Sequence, residues 1–60
     1  MYKFRVRLVD AWSNKQIKQR TFLAPSWEDA DVIAHRFWEA YEMTSRRDTN
    51  MILTRLMEVR

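Results

Sequence analysis

Residues 2–10 read "YKFRVRLVD", and their alternation is almost unbroken: Tyr2, Phe4, Val6 and Leu8 fall on one side, Lys3, Arg5 and Arg7 on the other. A period of two belongs to a strand, because successive side chains leave a pleated backbone on opposite faces. Such a strand needs apolar cover on one side and water or a charged surface on the other. The aromatic and β-branched residues at the apolar positions place a half-buried strand from about Tyr2 to Val9.

The rest of the chain must therefore supply the cover, and only 60 residues are available. A chain of that length hides about 60% of the surface its unfolded form exposes, so it forms one domain with a thin core. Apolar residues make up 47% of it and aromatics 13%, too many for a disordered tail. There is no Cys, which removes disulfides and thiolate metal sites and fits a reducing, cytoplasmic setting. There is no Gly, so none of the Gly-rich phosphate-cradling loops is available. No apolar run approaches the ~18 residues of a membrane span, and Met1 leads straight into the strand pattern rather than a signal peptide.

The turn-forming "DAWSNK" follows the first strand, and "QIKQRTFLA" (16–24) reads as a second. Its alternation is weaker. Placing Ile17, Thr21 and Leu23 on the core side turns Lys18, Arg20 and Phe22 outward and leaves Gln19 facing the core.

"APSWEDADVIAHRFWEAYEM" is a helix with a marked start. Ser26 is positioned to accept from the Asp29 amide, and Glu28 and Asp29 suit the positive end of the helix dipole. At 100° per residue Trp27, Ala30, Ile33, Ala34, Phe37, Trp38 and Tyr41 share an apolar face, and Glu28, Asp31, His35, Glu39 and Glu42 the opposite one.

After the polar "SRRDTN", the run "MILTRLMEV" fits either a strand or a helix capped by Asp48 or Thr49. A strand is preferred, because two strands and a helix leave the sheet too small. The fold class is thus α+β: a three-stranded antiparallel sheet, ββαβ in order 2-1-3, with one amphipathic helix on one face. With Ile52 and Leu56 turned to the helix, Met51, Leu53, Met57 and Val59 lie outside.

A basic alternating strand, a second strand ending in a small residue, then Ala24, Ser26, Glu28, Asp29 and Ala30 at the helix start: this layout resembles the DpnD/PcfM-like proteins of phages and plasmids. The strand–strand–helix–strand order covers most of the chain. Pro25, the aromatic helix and the lack of an acidic last strand depart from that group. The resemblance implies a mobile-element accessory protein and transfers no functional residue.

Charge is divided along the chain. Residues 1–23 set Lys3, Arg5, Arg7, Lys15, Lys18 and Arg20 against Asp10 alone, whereas residues 24–44 set Arg36 against Glu28, Asp29, Asp31, Glu39 and Glu42. The outer sheet face expected from these registers carries Lys3, Arg5, Arg7, Lys18 and Arg20, with Arg55 from the third strand and Phe22 among them. Cations that neutralise phosphates beside a ring that stacks on bases would bind nucleic acid. The plainer reading is the solvated side of an open sheet, where Lys and Arg discourage aggregation.

A protein-docking surface is the other candidate, built from Trp12, Phe22, Met51, Leu53, Met57 and Val59. Contiguous exposed apolar area on a small chain marks an interface, and a loop-tip Trp is either folded over the sheet or an anchor. His35 stands four residues from both Asp31 and Glu39. One imidazole and two mobile carboxylates make a poor metal or proton-transfer site, so they are read as solvated helix surface. The acidic helix face could imitate a phosphate backbone, and is more simply a solvated face as well.

The reading is a non-enzymatic, cofactor-free binding protein, not membrane-bound, that docks on a protein partner or on itself as a homodimer. Nucleic-acid binding through the basic face is the alternative.

Overall fold

The computed structural model describes residues 1–60 as strand β1 (Tyr2–Asp10), strand β2 (Gln16–Ala24), helix α1 (Trp27–Ser45) and strand β3 (Thr49–Glu58). Both outer strands pair antiparallel with β1, giving the order β2-β1-β3. This is the expected ββαβ α+β layout, with residues 51–58 in a strand. No helix is long and apolar enough to cross a membrane.

The alternation of β1 becomes the core directly: Phe4, Val6 and Leu8 are fully buried. Against them α1 sets Ala30 and Ala34, also fully buried. Two alanines one turn apart let the helix backbone approach the central strand closely, and the larger side chains fall to either flank. Phe4, Ala24 and Ala30 form one cluster, joined by Tyr2, Phe22 and Leu53. Val6, Leu8 and Ala34 form a second, with Phe37, Trp38, Tyr41, Met51 and Leu53 around it.

The helix starts as the sequence indicates. Ser26 is extended at its N-terminus, and its Oγ accepts from the Asp29 amide at 3.3 Å. At the other end Arg46 takes the left-handed conformation (φ 54°) that usually falls to glycine, of which this chain has none. Two polar contacts fix the exit: Trp38 Nε1 donates to the buried Thr49 Oγ1 at 2.7 Å, and that hydroxyl donates to Glu42 Oε2 at 3.4 Å. The sequence signal for Thr49 was confined to a helix-cap role. Its hydroxyl in fact ties the helix to the first residue of β3.

Two residues of the expected apolar stripe sit outside the core. Trp27 meets Phe4 edge-on (centroids 5.1 Å apart) but stays about half exposed, and Ile33 is 37% exposed. Trp27 is the first residue of α1, and Ile33 lies at the margin of the stripe.

Candidate binding surface on the open sheet face

One face of the sheet lies under α1 and the other has no cover. Strand register decides which side chains occupy each, since paired residues share a face. Lys3 lies between Leu23 and Met57, Arg5 between Thr21 and Thr54, and Arg7 between Gln19 and Ile52. These three cross-sheet rows form the open face. A line of cations runs down the middle strand, with exposed apolar side chains on both flanks: Leu23 at 51%, Met57 at 56% and Ile52 at 38%. None of the rows contains a carboxylate.

The same registers correct half of the expected surface. Phe4 pairs with Phe22, Val6 with Arg20 and Leu8 with Lys18, so β2 runs in the opposite phase to the one expected. Phe22 faces the helix and stacks on Phe4, with ring centroids 5.9 Å apart. Lys18 is on that side too, its Nζ 5.4 Å from the Phe37 ring centroid, and Arg20 lines a groove beside the helix. The cause is a one-residue difference in phase. Ile17 and Leu23 argue for one phase, Phe22 and Ala24 for the other, and packing of Ala24 against Ala30 and of Phe22 against Phe4 selects the second.

On β3 the expected sides are likewise exchanged. Leu53 pairs with Val6 and Met51 with Leu8, and both pack into the core rather than facing out. Ile52, expected under the helix, is on the open face. Arg55 pairs with Phe4 and lies over the Tyr2 ring at 5.3 Å, on the helix side. A bulge opposite Lys3 and Phe4 then shifts the phase, leaving Leu56 exposed and Met57 on the open side. Val59 is half-buried, and its amide donates to the Met1 carbonyl at 2.8 Å.

Of the nucleic-acid set, then, the open face brings together Lys3, Arg5 and Arg7 but not Lys18, Arg20 or Arg55. Of the protein-docking set, Met57 lies on it; Phe22, Met51 and Leu53 do not. Trp12 is 86% exposed at the tip of the β1–β2 hairpin and does not fold back over the sheet. Leu23 and Ile52 are the additions that register supplies.

Electrostatically the face is uncompensated. The only basic nitrogen within 4 Å of a carboxylate oxygen is His35 Nε2, 3.4 Å from Asp31 Oδ1 on the far side of the helix. No Lys or Arg is within reach of a carboxylate. Arg5 Nε, at the centre of the face, is buried and has no hydrogen-bond partner. A buried donor left unpaired costs about 1–3 kcal/mol, and such groups call for an explanation in a native fold. Glu39 does not join His35 and Asp31, and no three His, Asp or Glu side chains group as metal ligands would.

The hairpin beside this face is held by Asp10. Its Oδ1 accepts from the Trp12 and Ser13 amides at 2.9 and 3.0 Å. Those two bonds, first from Ser13 and then from Trp12, hold its carboxyl below the usual range. Asn14 supplies the left-handed residue of the turn (φ 60°), and the Ala11 amide reaches the Asp48 carbonyl, tying the hairpin to the start of β3.

No family model matches the chain, and neither a curated protein nor a solved structure matches it.

Proposed function

We propose that this chain is a non-enzymatic binding protein that docks stoichiometrically on another protein through the open face of its sheet. The observation that carries this reading is the set of three rows across that face: cations in the middle, exposed Leu23, Ile52 and Met57 at the sides, and no carboxylate. Apolar area rimmed by polar groups is how docking surfaces are built, and unpaired cations select a partner with acidic groups at matching places. Trp12 at the hairpin tip adds an exposed aromatic of the kind that anchors interfaces.

Two copies stacked face to face would bring both cation rows together, which favours a different protein over a second copy. Nucleic acid is the second reading, supported by Lys3, Arg5 and Arg7. It is weaker because no aromatic lies in the three rows, and stacking on rings supplies much of single-strand affinity.

The test places a photo-crosslinking side chain at Thr21 or Thr54 on the open face, and at Asp31 on the far side of the helix as control. Specific protein adducts from the sheet positions, absent from Asp31 and lost in Arg5→Glu with Arg7→Glu, are the expected result. Sedimentation with labelled DNA and RNA decides the second reading. A salt-sensitive shift with no protein adduct would replace the proposal with phosphate binding.

A further inference from the structure

The groove on the other side of the sheet has a different logic. The helix starts beside Ala24, at the end of β2, and finishes over Thr49, at the start of β3. It therefore slants across the sheet, and the first half of β2 diverges from it. At these positions β2 points Lys18 and Arg20 toward the helix layer, where a closed two-layer fold would have apolar residues. A groove of about 340 Å³ is left, lined by Ile33, Phe37 and Ala40 with Arg20 and Arg36. Neither arginine has a carboxylate partner.

The apolar surface does not stop at the groove. Val32, Arg36, Ala40 and Met43 follow one another at four-, four- and three-residue steps, a ridge along α1, with Val32 52% and Met43 84% exposed. From Val32 to Met43 the ridge is about 16 Å long at the rise of an α-helix. A small amphiphile would fill the groove and leave the ridge bare. An elongated apolar stripe covers both.

We infer that this groove and ridge receive an amphipathic helix of a partner protein, laid alongside α1 above β2, with carboxylates on its flank facing Arg20 and Arg36. Its apolar stripe packs on Ile33, Phe37, Ala40 and Met43, the helix-in-groove mode of recognition. The site is on the opposite side of the sheet from Lys3, Arg5 and Arg7, so it stands whether or not the open face docks a protein.

The experiment titrates isotopically labelled protein with three end-blocked synthetic peptides and follows the amide signals. One peptide has Leu and Glu at helical spacing, one has Lys in place of Glu, and one scrambles the Leu/Glu order. The amphipathic acidic peptide is expected to shift Arg20, Ile33, Arg36, Phe37 and Ala40 and to leave Lys3, Arg5 and Arg7 unmoved. Arg20→Glu with Arg36→Glu, both on exposed side chains, is expected to weaken it at least tenfold and to favour the Lys peptide. The inference is overturned by shifts confined to the open face, by undiminished binding to the charge-reversed variant, or by no shift at millimolar peptide. Equal shifts from the scrambled peptide, or from octanoate, also overturn it, the latter making the groove a small-amphiphile site.

Discussion

Asp10 does at residue scale what a glycine turn does in other hairpins. Its carboxylate accepts from the Trp12 and Ser13 amides and sets the loop that presents Trp12. Because these bonds favour the charged form, the folded-state pKa lies below the ordinary carboxylate value of about 3.9. The unfolded chain then takes up the proton first as pH falls. The contribution is complete above the unfolded value and disappears as pH drops through the folded one. Asp10→Asn keeps an acceptor oxygen without the titration. Urea midpoints at pH 7 and pH 3 should therefore differ less for the variant than for the parent chain. Equal losses in both would mean that the acid sensitivity lies elsewhere.

At the scale of elements, the three strands differ in how legible they were. Tyr2, Phe4, Val6 and Leu8 occupy one phase of β1 and Val9 alone the other, so its main buried face followed from the sequence. In β2 and β3 apolar residues occupy both phases, and one residue of slip exchanges the faces. Ile17 and Leu23 compete with Phe22 and Ala24; Ile52 competes with Met51 and Leu53. Adjacent substitutions in β3 expose the choice. Leu53→Asp puts an unpaired charge into the core between Val6 and the helix and should unfold the chain. Ile52→Asp, one residue away on the open face, should leave the far-UV circular dichroism unchanged and cost under about 1 kcal/mol. Unfolding by both would contradict the register, and so the composition of the candidate surface.

For the whole molecule the net charge of +3 hides a polarity: cations on the bare side of the sheet, carboxylates on the outer side of the helix. Lys3, Arg5 and Arg7 are about 7 Å apart along β1, and each neighbouring pair repels by roughly 0.6 kcal/mol in water-like dielectric. Screening this should raise the melting temperature by about 2–5 °C between 10 and 150 mM NaCl. Arg5→Thr, which separates the other two, should show a smaller rise; a fall with salt would mean that unlike charges dominate. The sequence by itself determined the first strand, the helix and its cap, the main buried side of β1 and the cations opposite it, because each depends on local periodicity or capping. Only the tertiary structure decided which phase β2 and β3 adopt, that Phe22 packs inside while Leu23 and Ile52 face out, and that a slanting helix leaves a groove beside Arg20. Those follow from contacts between segments distant in the chain, where two phases of similar local merit are separated by what they meet across the sheet.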